Sequence, residues 1–520
     1  MYKVLITTSG TGSRLGDLTL FTNKCLVRVG KKPAISYIVE SYDDNVEIVV
    51  TLGHYKNHVR DYLIMNYPNK KFNFVEVGQY EGAGSSLGYS LLHAESNVQC
   101  PFIFHASDTI VFDKIPKPDS NWLGYTVKND SSQYRTLNLN SRLKINEKGD
   151  INSNSVYIGL AGINDYESFW KNLKEEYKSD KNNQSLSDCH SINKMFELKW
   201  DFFNFENWLD IGNVSSLRES RNRIKDKFNI LDKKDESIFI FDDSVVKFFH
   251  NKDLCRNRVN RVKHLGNLVP RIIDSCENFY KYEYIDGELF SSVVNEISFR
   301  KFLEWSFDKL WMKMPKNDSF KEICNDFYFK KTMNRVNDFL KSNNLEDSIS
   351  YINGYEVPSV LDMIESIDKD WLCSEQPYRF HGDYILDNII VDGDGFKMID
   401  WRQDFGGDLE NGDIYYDLSK LNHNLLFNHE IVNNGNFSIE IKNNIVKCDI
   451  LRSDNLSNCR KILHDFITEN DFDLVKVELL TSIVWLNMSP LHDSKMGFFL
   501  FYFGKLNLFK ALQKISKYGK

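Results

Sequence analysis

The sequence predicts an α/β domain built on a mainly parallel sheet, followed by a second, two-lobed α+β domain. Three observations carry this expectation. At 520 residues the chain exceeds the size at which a single hydrophobic core stops growing. Its first hundred residues alternate short β-rich runs with stretches of helical periodicity. A new pattern then opens near Glu236 with a strand pair and turns mostly helical beyond Ser291.

In the first part the strand candidates are Lys3–Thr7, Glu47–Leu52, Phe72–Val77 and Pro101–Ala106. Helical periodicity fits Ala34–Tyr42, Lys56–Met65 and Ser85–Ala94 between them. Strand–helix alternation of this kind places helices on both faces of a parallel sheet, with ligands at the carboxyl ends of the strands. In the second part SIFIFDD and SVVKFF read as an antiparallel hairpin with Asp242 and Asp243 in the turn. The charge-rich stretch Arg218–Asp235 is the expected linker. This divides the chain into residues 1–225, a lobe with its linker at 226–290, and a mostly helical lobe at 291–520. The late run Leu474–Leu486 is expected to pack inside that last lobe.

Composition narrows the function. A net charge of −8 and a pI near 5.9 speak against a general nucleic-acid binder. Nine cysteines without C-x-x-C or zinc-like spacing read as reduced thiols of a cytoplasmic protein. The chain starts on a strand rather than on a signal peptide, and its late apolar stretch Gly497–Phe503 is too short to span a bilayer.

The first chemical motif follows the first strand: TTSGTGSRLGDLTLFTNKCL, with Gly10, Gly12, Arg14 and Lys24. Glycines here let backbone N–H groups approach phosphates. Leu15 occupies the place of the third glycine of a dinucleotide fingerprint, and no lysine directly follows glycine as in a P-loop. Two cations beside a glycine loop suit a triphosphate whose pyrophosphate must leave. Asp108 ends the fourth strand, and Trp208-Leu209-Asp210-Ile211-Gly212 offers a second carboxylate. Together the two aspartates can hold Mg²⁺, a hard ion that takes oxygen ligands. As an ordered set these motifs resemble the sugar-phosphate and phosphocholine nucleotidyltransferase family, a Rossmann-like fold, over Met1 to Leu217. The resemblance implies Gly10, Gly12, Arg14 and Lys24 on the phosphates and Asp108 with Asp210 on the metal. It also makes Gly82, Gly84 and Ser85 of the Gly82–Ser86 loop base-proximal. Asp17 and Asn23 stand where that family has prolines.

The second motif is His381-Gly382-Asp383-Tyr384-Ile385-Leu386-Asp387-Asn388. A kinase catalytic loop needs an aspartate to receive the acceptor hydroxyl's proton and an asparagine five residues on for Mg²⁺. Asp383 and Asn388 have that spacing, and Asp400 follows a short hairpin as the second metal ligand. Asp392–Gly395 reads as the hairpin turn rather than a calcium loop. Lys247, on the strand VVKFF, is the candidate ATP-phosphate lysine, and Glu283 and Tyr284 sit in a hinge-like segment for adenine. The set resembles the aminoglycoside phosphotransferase and choline kinase family, from about Glu236 onward, with a protein-kinase-like fold. Gly412–Leu418 also suits that family, but RNRVNRVKHLG supplies no glutamate for Lys247. The aromatic residues, 14% of the chain, supply rings either for a core or for a quaternary-ammonium cage.

These resemblances imply a bifunctional enzyme that phosphorylates a small alcohol or sugar with ATP. It then joins the product to a nucleoside monophosphate from a second nucleotide, CTP, UTP or GTP, with Mg²⁺ at both centres. Such an enzyme would supply precursors for capsule or lipopolysaccharide glycans. Two alternatives are a nucleotidyltransferase carrying a regulatory kinase-like module, and a resistance kinase with a vestigial front domain.

Overall fold

The computed structural model describes residues 2–139, 143–150, 153–224, 232–373, 376–393, 395–492 and 494–518. Part of the expected linker, 225–231, and Asp394 of the hairpin turn lie outside the described residues. The chain forms two compact units. One comprises Met1–Cys255 and Ile273–Tyr284, the other Arg256–Ile272 and Ile285–Lys520.

The first unit starts with β1 (Lys3–Thr7), α1 (Ala34–Glu40), β2 (Glu47–Leu52), α2 (Lys56–Asn66), β3 (Lys71–Glu76), α3 (Leu87–Ala94) and β4 (Phe102–Ala106). There follow β5 (Thr109–Val111), β6 (Asn121–Val127), β7 (Ser155–Ile163), β8 (Trp200–Asn204) and β9 (Trp208–Asp210), then α4 (Val214–Arg223). The main sheet has the order β8-β6-β7-β4-β1-β2-β3. Its pairs β1/β2, β1/β4, β2/β3 and β6/β8 are parallel, and β7 runs antiparallel to both neighbours. The central strands read as nearly continuous apolar runs because they are covered on both faces; Val4, Leu5, Ile6, Val49 and Val50 are fully buried. The sheet is thus mixed and mainly parallel, as the alternation predicts.

A second sheet begins with the expected hairpin, β10 (Glu236–Ile240) and β11 (Ser244–Phe249). After α5 (Lys252–Leu265) come β12 (Ile272–Ser275) and β13 (Phe279–Glu283), giving the order β10-β11-β13-β12. Its packing departs from the expected division at 225/226. Phe239, Val246, Phe248 and Phe279 are buried in the same apolar cluster as Val59, Tyr62 and Leu63 of α2. Tyr62 lies 5.6 Å from the Phe239 ring and 5.8 Å from the Phe279 ring. The Ile240 N–H donates to the Lys31 carbonyl at 2.8 Å. Strand alternation explains the choice: Val246 and Phe248 share one face of β11, and Lys247 takes the other. The first described part of the expected linker is the helix α4, pinned by Arg221, which pairs with Asp232 and donates to the Arg28 carbonyl.

The second unit holds α6 (Phe320–Asn325), continued without a break through a π-helical turn (Asp326–Lys330) into α7 (Lys331–Ser342). Then come β14 (Ser350–Ile352), β15 (Tyr355–Val357), β16 (Ile389–Asp392), β17 (Gly395–Met398) and α8 (Ile414–Leu426). It ends with β18 (Phe437–Lys442), β19 (Ile445–Ile450), α9 (Leu474–Met488) and α10 (Ser494–Tyr518). α9 packs against α8 and α10. The stretch Leu474–Leu491 is long and apolar enough to cross a membrane, yet 61% of it is buried inside the protein, the pattern of a core helix. The sheet β15-β14-β19-β18 is not apparent from the mostly helical periodicity. Two of its strands have three residues each, too few to display a period.

The shared core yields a prediction. Phe279→Ala, although it lies in the expected kinase-like half, should destabilise the first unit by about 3–5 kcal/mol. Urea unfolding of the full chain, followed through the front half's tryptophans, measures this. An unchanged midpoint would mean that β13 adds nothing to that core.

Candidate active sites

In the first unit strand register brings the two candidate metal carboxylates together. Asp210 pairs with Thr109 across β9 and β5, so it lies beside Asp108 at the end of the preceding strand. The Ile211 N–H donates to the Asp108 carbonyl at 3.1 Å. Gly212 marks the point of convergence. A Cβ there would sit 3.0 Å from Asp210 Oδ1, 3.5 Å from Asp108 Oδ2 and 3.9 Å from an Arg14 guanidinium nitrogen. The Gly212 N–H donates to Asp210 Oδ1 (2.8 Å), and the Tyr134 hydroxyl donates to Oδ2 (2.9 Å).

Lys24 reaches the same place, its Nζ 2.9 Å from Asp108 Oδ2. Burial alone would raise the Asp108 carboxyl. Lys24, with Arg14 behind it, outweighs that and holds the group below its ordinary range. The loop conformation rests on Asn23. Fully buried, its amide donates to the Thr8 and His54 carbonyls and its oxygen caps the turn that carries Lys24. Gly12 has φ 68°, and a side chain there would come 2.6 Å from Lys24 Cβ, so only glycine fits. Gly10 is exposed, open to a ligand's approach. Gly82 and Gly84 take φ of 76° and 85°. The Ser85 hydroxyl donates to the Gly82 carbonyl (2.7 Å), and Gln184 donates to the same oxygen. Among the described residues no hydrogen bond ties this loop to the Arg14–Asp210 cluster.

Behind the carboxylates, buried His105 fixes the strand end. The Thr109 carbonyl can only accept, so His105 Nε2 carries the proton and Nδ1 accepts from the Tyr42 hydroxyl (2.7 Å). Burial lowers this imidazole to about 4 and keeps it neutral. Two residues of this site escape sequence reading. Tyr134 lines an open cleft of about 420 Å³ with Lys128 and Glu219. The Lys148 ammonium is lowered, by burial first and then by Arg14, with Asp108 and Asp210 acting against it. Both stand in loops with no local pattern.

In the second unit the catalytic-loop motif closes on itself. Asn388 Nδ2 donates to the Asp383 carbonyl (2.9 Å) and to its Oδ2 (3.2 Å). Asp383 Oδ1 is paired with Lys420 Nζ at 2.7 Å. Burial would raise this carboxyl, but Lys420 outweighs it and holds Asp383 below its ordinary range, against a rising influence of Asp400. Asp400 takes φ 57°, a left-handed conformation that Asp tolerates better than most residues, and pairs with Arg258 of α5.

The loop is clamped by Asp417, whose carboxylate accepts the N–H groups of His381 and Gly382 at 2.7 Å each and that of the Trp311 indole at 3.1 Å. Full burial pushes Asp417 up to about 6. Arg261, also fully buried, donates to the carbonyls of Phe380, His381, Arg402 and Leu409 and stacks 4.0 Å from the Phe380 ring. His381 repeats the logic of His105: Nε2 donates to the Ile399 carbonyl, Nδ1 accepts from the Asp383 N–H, and burial lowers it to about 4.

Lys420 lies one helical turn beyond Asp417, so the GDIYYDL motif and helical phase were its only sequence signals. Arg258 and Arg261 share a face of α5 at the same spacing. Lys247 is buried on β11, opposite Tyr280 of β13 and Ile238 of β10, and Glu283 closes β13 opposite Ser244. The Tyr284 N–H donates to the Asp243 carbonyl (3.0 Å). Lys247, Glu283 and Tyr284 belong to the first unit; Asp383, Asn388 and Asp400 belong to the second.

Both sites suit Mg²⁺ by donor chemistry. Each offers two hard oxygen ligands, Asp108 with Asp210 and Asn388 with Asp400. Among the described residues no cluster of three or more His, Cys, Asp or Glu could hold a metal. Magnesium bound through one or two protein oxygens, with nucleotide phosphates completing the shell, needs no such cage.

Parts of the chain are similar to known proteins. In particular, residues 341–430, which include the whole Asp383 loop and Asp417, match the model of the phosphotransferase enzyme family (APH). The chain is 26% identical over 256 residues to the bifunctional protein GlmU of Methanocaldococcus jannaschii, covering 47% of this chain and 60% of that protein. It is 24% identical over 203 residues to the GlmU of Campylobacter lari, covering 38% of this chain and 46% of the relative. The chain thus spans about half the length of these curated relatives. Among solved structures, the CTP:phosphocholine cytidylyltransferase LicC of Streptococcus pneumoniae aligns over 43% of this chain and 100% of its own, with TM-score 0.38 and 20% identity.

Lys420→Met tests the rear site. Without the cation Asp383 should titrate higher. The acid limb of kcat/KM for ATP-dependent phosphorylation should therefore move to higher pH. An unmoved limb would separate Lys420 from the base.

Proposed function

We propose that this chain is a bifunctional transferase. The rear half moves the γ-phosphoryl group of ATP onto a hydroxyl of a small alcohol or sugar, releasing ADP. The front half lets the new phosphate attack the α-phosphorus of CTP, UTP or GTP, forming the nucleotide-linked product and releasing pyrophosphate. The observation that supports this reading is that cations and oxygen donors lie together at two separate places: Arg14, Lys24, Asp108 and Asp210, and Asp383, Asn388, Asp400 and Lys420. Magnesium at each centre would neutralise charge on the transferring phosphates.

In the second unit Asp383 takes the acceptor's proton; Lys247, Glu283 and Tyr284 of the first unit are the nucleotide-binding candidates on this reading. In the front half Arg14 and Lys24 stabilise the departing pyrophosphate, Gly10 and Gly12 admit the phosphates, and Gly82, Gly84 and Ser85 approach the base. The product of the first step is the substrate of the second, which suits supply of activated precursors for capsule or lipopolysaccharide glycans. None of the nine cysteines forms a disulfide and seven of them are buried, which suits a cytoplasmic setting.

A second reading, a nucleotidyltransferase with a non-catalytic kinase-like module, is favoured by one observation: Arg258 already occupies the Asp400 carboxylate. Mass spectrometry of full-length protein with ATP, Mg²⁺, each second nucleotide and a panel of acceptors separates the readings. Asp383→Asn should abolish phosphorylation while sparing nucleotidyl transfer to a phosphorylated acceptor. Asp108→Ala and Asp210→Ala should lower nucleotidyl transfer by orders of magnitude and spare phosphorylation. Loss of both activities in any of the three variants, with circular dichroism unchanged, would overturn the two-centre reading. Wild-type protein without phosphorylation but with nucleotidyl transfer would favour the second.

A further inference from the structure

The Asp383 carboxylate has two sides. Oδ2 faces Asn388, the metal side, and Oδ1 faces Lys420. A base that receives the acceptor's proton has to meet it away from the metal, so the Lys420 side is where the acceptor enters. That side is strongly basic. Arg402 stacks against the catalytic loop: its N–H donates to the His381 carbonyl (3.0 Å), and a Cβ on Gly382 would meet Arg402 Cβ at 2.5 Å. Lys331 Nζ and the Arg402 guanidinium both face the Phe327 ring, 4.0 and 5.2 Å from its centroid. Arg335 lies one turn beyond Lys331 on α7 and donates to the Asn487 carbonyl at 3.2 Å.

Among the described residues no carboxylate comes within 4.0 Å of Lys331, Arg335 or Arg402. Asp404, the carboxylate that offsets Lys331, accepts from the Gly407 N–H instead. Burial and mutual repulsion both disfavour the charge here, so that Lys331 takes up a proton when an anion pairs with it. Burial, then Arg402, Arg335 and Lys420, lowers the Lys331 ammonium to about 6, and burial, then Arg402, lowers Arg335. The π-helical turn directly ahead of Lys331 carries Phe327, and such turns recur at functional sites. Cations gathered this closely without carboxylates are a site for an anion.

We infer that the acceptor phosphorylated at Asp383 is itself an anion, a small alcohol or sugar bearing a carboxylate or phosphoryl group that Lys331, Arg335 and Arg402 hold. This rests on the kinase reading and narrows it. It excludes choline-like and aminoglycoside-like cations, since the Phe327 ring already faces two of the protein's own cations.

The test uses full-length protein carrying Arg14→Ala and Lys24→Ala, so that the front site does not contribute. Calorimetric titration with hydroxycarboxylates, sugar phosphates, inorganic phosphate, neutral sugars and choline should show binding of anions alone. The carboxylate and phosphate arms tell the two sources apart. Lys331→Gln and Arg335→Gln should each weaken anion binding roughly tenfold or more, the scale of one charge-assisted hydrogen bond. Arg335→Lys should restore part of it, and unchanged thermal melting is the folding control. Anion binding equal in wild type and variants, no anion binding at all, or preference for choline or neutral sugars, would overturn the inference. A parallel assay of ATP-dependent phosphoryl transfer keeps the readings distinct. Anion binding that depends on Lys331 without transfer to any acceptor would remove the kinase reading and leave the anion site standing.

Discussion

Charges gathered in partly buried clusters must be compensated, and this constraint shapes both candidate centres. Three ion pairs meet it: Lys24 with Asp108, Lys420 with Asp383, and Arg258 with Asp400. In each, a carboxylate assigned to metal or proton chemistry is held by a cation from a distant part of the chain. Removing one partner would leave a half-buried charge without compensation, which costs far more than an intact surface pair contributes. The same pairing keeps Asp108 and Asp383 ionised at neutral pH, the state needed for a metal ligand or a general base.

Backbone clamps support these pairs, and the two centres use the same device. His105 and His381 each sit beside a candidate-site aspartate, each donates from Nε2 to a carbonyl, and each is kept neutral by burial. A neutral imidazole with a fixed tautomer holds two backbone segments together without adding charge beside the aspartate. In the rear unit Asp417 and Arg261 extend the clamp by satisfying the N–H and carbonyl groups of a buried loop that cannot form a ladder. Lys331, Arg335 and Arg402 lack a paired carboxylate; Arg335 and Arg402 donate instead to the carbonyls of Asn487 and Asp404.

The packing of β10, β11 and β13 bears on how the chain is organised. Apolar side chains on one face of this sheet join the core around α2, while Lys247 lies on the other face. The aromatic face of SVVKFF and the apolar face of KNHVRDYLIMN are each evident in sequence. That they face each other is not, because many other apolar faces in the chain would satisfy the same burial.

By itself the sequence determined what is local. Hydrophobic periodicity marked the parallel strands and helices of the front half, since strand and helix repeat with periods of 2 and 3.6 residues. Fixed spacing tied Asp383 to Asn388, whose amide reaches back across one turn of loop to the Asp383 carbonyl and carboxylate. Only the tertiary structure decided what depends on pairing across long intervals. It brought Asp210 to Asp108 through strand register, Lys420 to Asp383 through the docking of α8, and Arg402 with Lys331 onto one aromatic ring. Lone lysines and arginines carry no mark of their partners in sequence. The charge that converges beside Asp383 comes from three separate segments, and only folding sums it.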